Sequence, residues 1–238
     1  MNYFLDQEFI EGFRKPLFGR RRHFIDLISI ALVCEDGTKY YALCSEFDLK
    51  KAWRDAWLRE HVLRNIHSEL LSKVSTNQRE HFRDMEPFTL KTMYTILSLY
   101  GKTREEILSE VRKFISDGRP VFYGYYCDYD WVLFCSLFGR MIDLPEGYPM
   151  YCIDLKQEID NLAKKCFQLG VGTHSEGDKK NFPSVPQALE WLKESPLYPA
   201  QSNEHNALAD AIWISKLYDF LQINHLCTPH TRRTEKIF

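Results

Sequence analysis

At 238 residues and 45% hydrophobic side chains, the chain has the length for one large domain or two small ones and the apolar content for a packed core. A formal net charge of −2 excludes bulk attraction to nucleic acid, although a global sum says nothing against a local basic groove. The 7 cysteines are odd in number, form no Cys-x-x-Cys pair and sit mostly in apolar runs, which argues against a disulfide framework or a zinc site and for buried free thiols in a reducing cytoplasm.

An acid appears early in the first strand, so no secretory leader is expected, and no apolar run reaches bilayer-spanning length. That first strand, from Asn2, starts apolar with Tyr3, Phe4 and Leu5; two acids then appear, Asp6 and Glu8, two positions apart. Positions i and i+2 of a strand share a face, so both carboxylates aim at one spot. Like charges there repel, and burying them is costly unless a cation lies between them; a divalent metal meets that need. Gly12 to His23 reads as a Gly- and Pro-punctuated loop with five cationic side chains, Arg14, Lys15, Arg20, Arg21 and Arg22, leaving the acidic strand end directly.

Phe24 to Cys34 reads as a central strand, Asp36-Gly37 as a hairpin turn and Lys39 to Cys44 as the antiparallel return. Asp48 caps a helix expected to run through Trp53 and Trp57 to about Val62. Residues 64–88 are polar and weakly periodic and define no element. A helix from Phe88 to Tyr100 ends at Gly101; Thr103 and Glu106 form a capping box for the next, which carries Ile107, Leu108, Val111, Phe114 and Ile115 on one face. Val121 to Tyr126 is a fourth strand, followed by a helix through Trp131 and Phe138. Tyr151 to Ile153 is a short fifth strand, with Asp154 capping a helix to about Leu169. After the loop from Gly170 to Pro183, Pro186 opens another helix, and the last runs from about Asn206 to Ile223. The expected architecture is a mixed five-stranded α/β sheet flanked by helices, in one domain over residues 1–224 with a helical insertion over residues 64–118. The basic tail from His225 to Phe238 is expected to be loose.

A metal site needs more ligands than Asp6 and Glu8. Two places offer them: the end of the fourth strand, with Asp128 and Asp130, and the start of the last helix, where Asp210 falls among small and apolar residues five positions after His205. His205 and Asp210 meet only if His205 lies on the loop and Asp210 one turn inside the helix.

Strand Asp-x-Glu, a strand-end Asp, then His-x4-Asp is the ordered pattern of the DEDDh 3′–5′ exonucleases of the ribonuclease H-like fold. The chain resembles them at Asp6, Glu8, Asp130, His205 and Asp210. Within them it resembles the small branch of bacterial exoribonucleases first described in mycobacteria, through residues 3–11, 27–30, 40–42, 46–48, 129–130 and 205–211. It departs from that pattern at the basic loop, the insertion and the loop over residues 170–203. The resemblance implies two ions of Mg²⁺ or Mn²⁺, in keeping with hard oxygen ligands. In it, Asp6 bridges both metals, Glu8 and Asp210 complete the nucleophile-side ion, Asp130 holds the second, and His205 takes the proton from the attacking water. Asp130 is preferred to Asp128 because it follows an aromatic residue and directly precedes the apolar helix, as the family pattern requires; Asp128 suits a cap or turn.

The implied substrate is an RNA 3′ end, single-stranded or with a 3′ overhang, yielding nucleoside 5′-monophosphates; a homodimer is compatible with the family. Phe9 and Ile10 are candidates for contact with the terminal base, and Arg20, Arg21 and Arg22 for phosphate contacts, against the plainer readings of core packing and a solvated charged loop. The competing functions are a DNA 3′–5′ exonuclease of proofreading or repair type and a catalytically silent nucleic-acid scaffold. The complete acid set speaks against the scaffold.

Overall fold

The computed structural model describes residues 1–14, 19–73, 85–115, 118–170 and 182–226. The tail from 227 onward and the centre of the 170–203 loop lie outside them. Three antiparallel strands open the chain: β1 (Asn2–Arg14), β2 (Arg22–Cys34) and β3 (Lys39–Cys44). The apolar strand content buries both faces of β2, and Asp36 accepts hydrogen bonds from the Thr38 backbone and hydroxyl to close the β2–β3 turn.

The ends of β1 and β2 correct the loop expected over Gly12 to His23. Pairing continues through Phe13 opposite His23 and Arg14 opposite Arg22. This outer ribbon faces solvent and has no apolar alternation to announce it, so Gly, Pro and charge gave the wrong signal.

The single helix expected from Asp48 is also interrupted. Asp48 caps α1 (Leu49–Arg54) through the Lys51 N–H. Asp55 then adopts extended backbone, and its carboxylate accepts from the N–H groups of Trp57 and Leu58, restarting the chain in a π-helical turn, Leu58–Leu63. This leads into α2 (Arg64–Lys73), in the stretch whose polarity concealed any periodicity. The helix α3 (Leu90–Tyr100) follows, and then β4 (Gly101–Lys102), which pairs in parallel with Leu43 and Cys44. The sheet therefore has six strands rather than five, in the order β4-β3-β2-β1-β5-β6. The extra strand is too short for a sequence pattern, and Gly101 permits it: a Cβ there would meet the Leu97 carbonyl oxygen at 2.5 Å.

Thr103 and Glu106 form the capping box of α4 (Arg104–Phe114). The parallel strand β5 (Val121–Gly124) leads to α5 (Asp128–Phe138), and β6 (Ile153–Asp154) to α6 (Leu155–Leu169). The last helices are α7 (Val185–Lys193) and α8 (Ala207–Leu226). One apolar cluster joins Phe4, Ala31 and Val33 to α6, α7 and α8; a second joins Leu5, Leu32 and Phe122 to α4 and α5. A third packs Ile10, Ile28 and Leu43 against the π-helical turn, α2 and α3, so the expected insertion forms part of the same core. No helix among the described residues is long and apolar enough to cross a membrane.

Candidate active site

On β1 the residues Phe4, Asp6, Glu8 and Ile10 alternate on one side. Phe4 belongs to the first apolar cluster and Ile10 to the third, so the two acids occupy the gap between them. Their cross-strand partners are small: Ala31 opposite Asp6 and Ser29 opposite Glu8. The register slips just beyond, where Glu8 pairs with Ser29 and Phe9 with Leu27, leaving Ile28 as an extra residue. Bulges of this kind bend a strand and re-aim its side chains.

Asp210 enters from the first turn of α8. Carboxylate oxygens of Asp6, Glu8 and Asp210 all lie within 4.8 Å of one another. Asp130 enters from the other side. Its helix follows β5, which covers β1 only as far as Phe4 and leaves the strand edge beyond it open. The turn after β5 approaches β1 closely: a Cβ on Gly124 would meet Cys127 Cβ at 2.4 Å and the Leu5 carbonyl oxygen at 3.3 Å. Tyr126 holds left-handed backbone in this turn (φ 55), with its N–H donated to Asp154 Oδ1 at 3.0 Å. Asp154 caps α6 through the Lys156 N–H at 2.8 Å. Asp128 is exposed in the first turn of α5, whereas Asp130 is buried and accepts a hydrogen bond from the Gln7 backbone.

Electrostatics unite the four acids. Burial, followed by the charges of Asp130, Glu8 and Asp210, holds Asp6 well above the ordinary carboxylate range. Burial and the charges of Asp210 and Asp130 push Glu8 up to about 8. Asp130 rises to about 7, chiefly through burial, with the Gln7 and Asp130 backbone hydrogen bonds working against the rise. Asp210 is also raised by burial, opposed by the hydrogen bonds it accepts from Gln201 Nε2 at 2.9 Å and the His205 backbone N–H at 2.8 Å.

His205 lies on the turn before α8 in left-handed backbone (φ 64). Its ring meets Trp57 edge-on at 4.7 Å and His61 at 5.8 Å. The next residue, Asn206, is the cap: its Oδ1 accepts from the Ala209 N–H at 3.0 Å and its Nδ2 donates to Glu69 Oε2 at 2.5 Å. Asn65 Nδ2 donates to the Glu204 carbonyl at 2.8 Å. Sequence reasoning missed these holders of the histidine turn. Asn206 carried a signal, a capping residue directly before an apolar helix; Trp57, His61, Asn65, Glu69 and Gln201 reach the site only through tertiary contacts.

The remaining candidates divide. Phe9 is half-buried, with its ring edge-on to Tyr129 at 5.7 Å. Ile10 is 2% exposed and its side chain packs in the third cluster. Arg20, Arg21 and Arg22 are exposed at the outer end of the ribbon. Six residues of extended strand separate Glu8 from Arg14, about 20 Å at 3.3 Å per residue. The arginines thus stand well away from the acids rather than beside them.

The donors at the strand edge are all carboxylate oxygens, and Asp130 Oδ1 is buried without a hydrogen-bond partner. An unanswered buried acceptor in a set of mutually repelling acids fits a hard divalent cation. The structure thus defines an α/β protein with a largely buried carboxylate cluster beside the open stretch of its central strand β1, suited to holding such an ion. No family model matches the chain. Over 157 residues it is 32% identical to a 3′–5′ exoribonuclease of Mycobacterium tuberculosis, in strains CDC 1551 / Oshkosh and ATCC 25618 / H37Rv, covering 66% of this chain and 73% of the relative. The chain belongs to the family of these 3′–5′ exoribonucleases.

Proposed function

We propose that this protein removes nucleotides stepwise from RNA 3′ ends by metal-dependent hydrolysis, releasing nucleoside 5′-monophosphates. The observation that carries the reading is the convergence of Asp6, Glu8 and Asp210 within 4.8 Å, joined electrostatically by Asp130. The relatives named as exoribonucleases support RNA as the substrate. The strand order and mixed strand directions are compatible with a ribonuclease H-like fold; the proposed subtype is DEDDh, on Asp6, Glu8, Asp130, His205 and Asp210, with residues 1–224 as the catalytic unit.

Asp6, Glu8, Asp210 and Asp130 would together hold the metal. When bound, Mg²⁺ or Mn²⁺, as two ions, would supply an activated water and charge neutralisation at the leaving 3′-oxygen. His205 accepts the proton of the attacking water, a task that imidazole suits near neutral pH. Its backbone N–H fixes the Asp210 carboxylate, so one turn positions both the base and a ligand. Gln201 holds the other Asp210 oxygen and limits its rotation.

Digestion of a 5′-end-labelled RNA tests the reading. The labelled strand is expected to shorten one nucleotide at a time; immediate release of labelled mononucleotide, or a single internal cut, would contradict it. The proton-transfer role has its own test. His205→Asn retains a residue that tolerates left-handed backbone, and is expected to lower kcat by about 10²–10⁴-fold while the fold and metal binding persist. Wild-type kcat in that variant would remove His205 from the mechanism.

A further inference from the structure

The outer half of the β1–β2 ribbon stands clear of the sheet. Among the described residues β5 pairs with β1 only over residues 2–4, and β3 pairs with β2 only over residues 29–33. On one face of the free ribbon lie Phe9, Glu11 and Phe13, opposite Leu27, Ile25 and His23. This face carries a continuous row of rings. Phe9 meets Tyr129 edge-on at 5.7 Å, Tyr129 stacks on His23 at 6.4 Å, and His23 meets Phe13 edge-on at 5.7 Å. Arg21 Cζ lies 4.6 Å from the centre of the Phe13 ring. The row is open to solvent: Phe13 is 54% exposed and Tyr129 44%. In the chain it adjoins the acids, since Phe9 follows Glu8 and Tyr129 precedes Asp130. On β1, however, it occupies the face opposite Asp6 and Glu8, and the strand edge left open beyond Phe4 lies between the two.

We propose that this row is the track for the unpaired body of the substrate, binding single-stranded RNA upstream of the 3′ end through base stacking. The proposal rests on the nuclease reading above and extends it to substrate form. Stacking tolerates any sequence but requires unpaired bases, so the track selects single strands over duplex. The charge pattern fits a polyanion: Arg20, Arg21 and Arg22 lie at the outer end. Glu11, the acid on this face, sits 3.4 Å from His23 Nε2, and Asp26 on the opposite face is bound by Arg14.

The test compares Phe13→Ala and Tyr129→Ala with the wild-type chain on a labelled single-stranded RNA of about ten nucleotides and on a dinucleotide. Both side chains are substantially exposed, so their removal leaves the core packing in place. Fluorescence anisotropy in EDTA, where no metal-dependent hydrolysis occurs, is expected to show Kd for the longer RNA rising about tenfold per ring removed. Phe13→Tyr, which keeps a ring, is expected to restore binding. In magnesium, KM for the longer RNA is expected to rise in parallel, with at least about fivefold less effect on the dinucleotide. Equal effects at the two lengths, or a blunt duplex bound as tightly as the single strand, would overturn the track. The two readings fail differently: without nuclease activity nothing is hydrolysed yet anisotropy still separates the variants, whereas without the track hydrolysis proceeds and the Kd values coincide.

Discussion

Asp6→Ala is expected to lower turnover by a factor on the order of 10³ or more, a barrier increase of at least about 4 kcal/mol if ion placement carries the rate. Asp6 stands at the centre of the cluster, where the charges of Asp130, Glu8 and Asp210 all act upon it. Its removal deprives any bound ion of one donor of the set. The same change relieves repulsion in the metal-free fold, so the variant is expected to melt no lower than wild type without metal while losing activity. Opposite signs for activity and stability mark a functional group held against a folding cost. Steady-state kinetics and metal-free thermal melting read the two effects; near-normal turnover would remove Asp6 from the mechanism.

The second large effect is on stability against pH. Glu8 at about 8 and Asp130 at about 7 both lie above their ordinary values of 4.5 and 3.8, because burial disfavours their charged forms. A group raised in the folded state binds its proton more tightly there than in the unfolded chain. Its stabilising contribution is complete below the unfolded value and is lost as pH rises through the folded one. Metal-free protein is therefore expected to lose on the order of 5 °C in Tm between about pH 5 and pH 8.5. Mg²⁺ or Mn²⁺ should reverse the loss at the upper end and do little at the lower, where protons compete with the ion for the same oxygens. Calorimetry with and without metal decides it. A Tm that stays level with pH, or a metal effect equal at both ends, would show that the cluster does not carry the cation.

What could be read from the residues follows their physical period. Asp6 and Glu8 share a face because strands repeat every two residues, and the structure places them so. Asp210 stood out as an acid among apolar helix residues, and it turns inward to Glu8. The ribbon was hidden because its pairing is solvated and its composition is that of a loop. The break at Asp55 was hidden because an aspartate inside a helical pattern carries no sign that it will cap a new turn. The holders of His205 come from α2 and the turn before it, more than 130 positions away in the chain for both Asn65 and Glu69. No local pattern reports contacts of that range. The burial of Ile10 depends on α2 and α3 covering that part of β1, which residues 64–88 gave no reason to expect.

Four acids meet at one strand edge, and the metal centre proposed there cuts RNA from its 3′ end. Digestion of matched 5′-end-labelled RNA and DNA, with magnesium or with chelator, decides whether it does. The RNA is expected to shorten stepwise from its 3′ end, the DNA to be digested more slowly, and both reactions to stop completely in chelator. RNA left intact in magnesium, or shortened equally well in chelator, would contradict it.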